Sequence, residues 1–136
     1  MLPKVRKPAP FQTWIVWQLR KISYRWPPRY QALKATKVGP NTYKCASCHK
    51  DYKKQGRKRV ISVDHIIPVK DPTKPGAFQD DLLTCVCGVC DFLRKMFCDV
   101  LGLQVLCKEC HDAKTNDEKG IRVEARRQKK LGNKNA

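Results

Sequence analysis

The chain has 136 residues, enough for one domain and too few for a large buried cofactor beside a second catalytic domain. It carries 29 Lys and Arg against 12 Asp and Glu, a formal net charge of +17. That balance argues against an acidic solvating tail or an apolar membrane protein. It favours a polyanionic partner, nucleic acid ahead of anionic membrane. No apolar run approaches the ~18 residues of a membrane span, and no secretory signal is visible. A cytoplasmic location is therefore expected, where eight cysteines read as metal ligands or buried thiols and not as disulfides.

Residues 1–44 hold ten Lys and Arg and no Asp or Glu. Within them Phe11, Trp14, Ile15, Leu19 and Ile22 recur at helical spacing and predict an amphipathic helix over 11–22, stopped by Trp26-Pro27-Pro28. Arg29 to Lys37 predicts a second short helix, ended by Gly39-Pro40. The aromatics of this block are expected in the core, while Arg25 and Arg29 belong to a set of cations suited to phosphate contact. Lys50–Arg59 reads as a basic loop or hairpin, and the β-branched run Val60-Ile61-Ser62-Val63 as a strand leading into Asp64-His65. Residues 70–81 form a loop, and 82–98 an apolar, cysteine-rich stretch that is helical in part. Leu103–Leu106 is a strand candidate, and Lys108 to about Glu118 a helix that Gly120 should end. The tail, 119–136, is expected to fray or be disordered.

Cys45-Ala-Ser-Cys48 and Cys107-Lys-Glu-Cys110 are two Cys-x-x-Cys knuckles. Two residues between ligands let one tight turn aim both sulfurs at one ion, and four thiolates make a closed tetrahedral zinc shell of structural type. Such an ion would close the long loop formed by residues 49–106. His49 is expected exposed beside the first knuckle. Cys85, Cys87, Cys90 and Cys98 could ligate a second zinc, although Leu82, Leu83, Val86, Val89, Phe92 and Leu93 around them favour apolar packing.

Between and within the knuckles lie Asp64-His65 and, one residue after Cys110, His111. Hydrolysis of a phosphodiester needs a divalent ion to neutralise growing charge and a general base with pKa near 7, which neutral histidine supplies. Asp64 and His65 are strand neighbours, so their side chains start on opposite faces: one can address an ion while the other addresses water. Zinc shared by both knuckles would bring the first turn carrying His111 towards them. Lys114, three residues on, could contact phosphate as a point charge, or could be a solvated helix lysine.

Cys-x-x-Cys, then Val63-Asp64-His65-Ile66-Ile67-Pro68, then Leu103-Gln-Val-Leu-Cys-Lys-Glu-Cys110-His111-Asp-Ala-Lys114-Thr115, resembles the HNH endonuclease family over residues 43–118. Trp26-Pro-Pro-Arg-Tyr-Gln-Ala-Leu-Lys-Ala and Phe97-Cys98 resemble small phage-encoded members. The resemblance implies an α+β chain built on a ββα-metal unit (43–118), clasped by a four-cysteine zinc site, with a basic helical extension (1–42) before it. It implies a nuclease acting on DNA in the host cell's cytoplasm. In that reading His65 is the general base, and Asp64 and His111 hold a catalytic Mg²⁺ or other divalent ion. Cys45, Cys48, Cys107 and Cys110 hold structural zinc, and Lys114, Arg25 and Arg29 contact DNA. One position departs from the family: Gly102 stands where an Asn usually braces the loop and the histidine. That departure keeps a second reading open, a zinc-stabilised nucleic-acid-binding protein whose catalytic centre has decayed. A zinc-bearing component of a ribonucleoprotein is a third.

Overall fold

The computed structural model describes residues 11–74 and 92–134. It is an α+β fold. Two helices, α1 (Phe11–Ser23) and α2 (Pro27–Ala35), lead into three short strands, β1 (Lys37–Gly39), β2 (Thr42–Lys44) and β3 (Asp51–Lys53). A longer strand, β4 (Ile61–His65), follows; residues 92–96 are helical, and a 3-10 turn (Val100–Gly102) leads into β5 (Leu103–Cys107). The last element is a long helix, α3 (Lys108–Lys134). None of the helices among the described residues is long and apolar enough to cross a membrane. Cys85, Cys87 and Cys90, and with them the second-zinc reading, lie outside the described residues.

Trp26-Pro27-Pro28 separates the first two helices, as expected, yet the two prolines open α2 instead of merely ending α1. Proline fits the first helical turn, where the missing N–H has no partner to lose and φ is already set. β1, β2 and β3 form one antiparallel sheet; β3 takes up the start of the expected basic loop and pairs Tyr43 with Tyr52. β4 and β5 form a second antiparallel sheet, pairing Ile61 with Cys107, Ser62 with Leu106 and Asp64 with Gln104. Its ends are tied by Lys108 N–H to the Val60 carbonyl and Ile66 N–H to the Gly102 carbonyl, both at 3.0 Å. Because β5 runs straight into α3, whatever holds Cys107 also aims the first turn of the helix.

Among the described residues two small cores result. One is Cys45, Leu106 and Cys107, with Cys48, Tyr52 and Cys110 packed against them. The other is Val16, Phe92 and Met96, flanked by Leu19, Val69, Leu93 and Phe97. The second core corrects the expected face of α1. Its buried apolar residue is Val16, while Phe11, Trp14, Trp17 and Ile22 are about half exposed or more, as is Tyr24 beyond the helix end. Val16, with Leu19 beside it, is what α1 packs against Phe92 and Met96. Trp26 alone among the tryptophans is anchored: its Nε1 donates to the Cys98 carbonyl at 2.7 Å and its ring meets Phe97 edge-on.

The expected break at Gly120 does not occur, and α3 continues to Lys134 through the stretch read as a disordered tail. An isolated glycine costs a helix only about 1 kcal/mol. Pairs at i,i+4 spacing offset it: Glu118 with Lys114 at 3.5 Å, Arg122 with Glu118 at 3.7 Å and Gln128 with Glu124 at 2.6 Å.

Candidate metal centre and active site

The first knuckle sits between β2 and β3. Cys45 N–H donates to the Lys50 carbonyl at 3.0 Å and Ala46 N–H to the Val105 carbonyl at 2.8 Å, which ties the turn to β5. His49 closes it with φ of 59°, and lies exposed, outside the sulfur cluster. The second knuckle is the junction of β5 and α3. The four Sγ atoms of Cys45, Cys48, Cys107 and Cys110 all lie within 4.8 Å of one another, and Cys48 and Cys107 are 4.0 Å apart. A tetrahedral zinc with bonds of about 2.3 Å separates its sulfurs by about 3.8 Å, so the cluster could hold a metal ion such as zinc with little movement.

The thiols are prepared for ionisation. Cys107 N–H points at Cys45 Sγ at 3.3 Å and Cys110 N–H at Cys107 Sγ at 3.4 Å. Burial pushes the Cys45 thiol up, yet the backbone amides of Cys107, Cys48 and Ser47 outweigh it and hold the thiol below its ordinary value. Burial also opposes ionisation of Cys107, and the Tyr52 hydroxyl and the Cys110 amide overcome it. Tyr52 lowers Cys48 most directly, its hydroxyl 3.5 Å from the sulfur. Cys110 is instead pushed up to about 12, chiefly by the Cys107 side chain. Tyr52 is a residue that sequence reasoning missed. The signal available was an aromatic hydroxyl four residues after Cys48, inside a stretch read as loop.

The side chains of Asp64 and His65 leave opposite faces of β4. His65 Nε2 lies 2.9 Å from the Met96 carbonyl. A carbonyl only accepts, so Nε2 carries the ring proton and Nδ1 is left with its lone pair in the neutral ring. On the other face Asp64 meets α3, where Lys114 Nζ lies 2.5 Å from its Oδ2 and also donates to the His65 carbonyl. Lys114 is thus neither a solvated lysine nor one pointing away from the centre. It is three-quarters buried and continues a ladder through Glu118 to Arg122. His111 lies one turn before it, mostly buried, with Nδ1 3.7 Å from Asp112 Oδ1. Asp112 in turn is bound by Lys108 at 2.5 Å.

Gly102 has a steric reason to be glycine. A Cβ there would sit 2.8 Å from Cys98 Sγ and 3.0 Å from its Cβ, too close for any larger residue unless the turn shifts. Cys98, the described member of the four extra cysteines, fills the space beside the turn that precedes β5.

The two arginines expected on phosphate part company. Arg25 is exposed. Arg29 is drawn inward: Nη2 donates to the Val63 carbonyl at 2.6 Å, and its guanidinium lies 5.4 Å from the centre of the Tyr24 ring. Arg29 therefore braces β4 one residue before Asp64, a positioning task that its charge alone did not reveal.

No family model, no curated protein and no solved structure matches the chain.

Proposed function

We propose that the chain is a metal-dependent endonuclease of HNH type that hydrolyses phosphodiester bonds in DNA. The observation that supports this most is the contact of Asp64 on β4 with Lys114 on the first turns of α3, with His65 the next residue along the strand. His65, held through Nε2 by the Met96 carbonyl, keeps Nδ1 to take a proton from an attacking water. Asp64 and His111 would hold a divalent ion such as Mg²⁺, which when bound would neutralise charge growing on the phosphate and its leaving oxygen. The fit is supported by Lys114, whose ammonium already places a positive charge against the Asp64 carboxylate. On a flexible stem, that ammonium can leave Asp64 for the phosphate, while Glu118 at 3.5 Å keeps it in reach. The net charge of +17 fits DNA as the polyanion, and the exposed cations of α3 beyond Gly120 add sequence-independent contacts.

A catalytically decayed nucleic-acid-binding protein is the second reading. Two observations favour it: the ion pair that closes Asp64, and the absence of an asparagine side chain at Gly102. Supercoiled plasmid incubated with zinc-loaded protein and Mg²⁺, Mn²⁺ or Ni²⁺ separates the two. The nuclease reading expects nicked or linear product with at least one ion. Binding without product under all three would leave the second reading in its place.

A further inference from the structure

A cleft of about 360 Å³ opens between α2 and the start of β4, lined by Tyr24, Arg29, Tyr30, Arg59, Ser62 and Val63. Its size falls within the ~300–1,000 Å³ typical of small-ligand sites. Three features have no structural task in common. Tyr30 presents a ring that is 61 % exposed. Arg59 is exposed, and among the described residues no carboxylate lines the cleft with it and Arg29. Ser62 Oγ is fully buried and has no hydrogen-bond partner among the described residues, which such a group ordinarily finds. Burial lowers the Arg29 pKa; Tyr24, Asp64 and Cys98 oppose that shift, and the Arg59 charge adds a smaller lowering.

We propose that this cleft binds one unstacked nucleotide of a single strand. The base lies on the Tyr30 ring, the phosphate on Arg59, and the hydroxyl of Ser62 rotates to meet a polar edge. Aromatic rings accept any base by its π-face, and arginine accepts phosphate oxygens in a fork, so the ligand class follows from the lining chemistry. The proposal rests on a nucleic-acid partner, as above, but not on cleavage. β4 carries both Ser62 and Asp64, so a strand held here passes close to the proposed centre.

The test measures binding of a short labelled oligothymidylate and of a hairpin duplex to the full chain, without added divalent ion. Tyr30→Ala and Arg59→Ala should each weaken the single strand roughly 10-fold, while duplex affinity stays within about 2-fold. Tyr30→Phe should bind as wild type. Ser62→Ala should weaken the strand yet raise Tm by roughly 2–5 °C, because it removes a buried hydroxyl without a partner. If thymidine 5′-monophosphate displaces the strand, a free nucleotide suffices; if only longer strands do, adjoining phosphates take part. Either result supports the cleft. Displacement by inorganic phosphate as efficient as by the nucleotide would overturn it, as would equal losses for strand and duplex or no loss in Tyr30→Ala. A chain that cleaves nothing can still pass this test, and a nuclease can fail it.

Discussion

The two cores of this chain are both small, but different physics holds each. The C-terminal one gathers four sulfurs, Leu106 and Tyr52 where β2, β3, β5 and α3 meet, a cluster that could hold a metal ion. The N-terminal one is ordinary apolar packing of Val16 on Phe92 and Met96, sealed by the Trp26 hydrogen bond. The difference teaches where precision lies. Proton transfer tolerates little error in position, and His111 and Lys114 hang from the sulfur side, whereas His65 is steered by a carbonyl, that of Met96, from the apolar side. The candidate centre is the seam between the two cores.

Mutations that unmake one core and spare the other break the comparison most directly. Cys107→Ser should have the largest effect. A closed thiolate site contributes its metal-binding energy to folding, so zinc content should fall from about one ion per chain towards none and α3 should lose its anchor. Metal analysis and thermal melting read both, and unchanged values would rule out the four-cysteine assignment. Met96→Ala should come next, costing about 2–4 kcal/mol for a buried side chain deleted from a tight cluster. Zinc content should not change, and the loss should appear as early melting of α1 by hydrogen exchange. Acid should act on the sulfur side alone. Cys110, pushed up to about 12, must release its proton when an ion binds, while Cys45, Cys48 and Cys107 start below their ordinary values. Zinc affinity should therefore rise with pH, because at least the Cys110 proton leaves on binding. A chelator competition across pH checks the slope, and a flat profile would mean the sulfurs are not the ligands.

How much of this was legible depended on whether a residue's task is local. The knuckles announce themselves by spacing, and β4 and β5 by short β-branched or apolar runs; all are where the sequence predicts. The β1–β3 sheet was not legible, because three-residue polar strands such as Asp51-Tyr52-Lys53 carry no periodicity and exist through pairing alone. The face of α1 was misjudged because its aromatics carry the stronger hydrophobic signal, whereas Val16 is the apolar residue that α1 buries. α3 outran Gly120 because side-chain pairs across the glycine outweigh its propensity. The Lys114–Asp64 pair spans fifty positions, and nothing local distinguishes that lysine from the others on α3.

In the proposed nuclease, His65 and the Asp64–His111 pair do different work. Zinc-loaded wild type, His65→Ala and His111→Ala should be compared in plasmid cleavage over a titration of divalent ion. His65→Ala should retain zinc and DNA affinity and lose cleavage by ~10²-fold or more at every ion concentration, the size of a general-base contribution. His111→Ala should also be impaired, with residual activity that recovers as the ion is raised. Cleavage by His65→Ala equal to wild type would remove the base from this account, and no cleavage by wild type with any divalent ion would contradict it altogether.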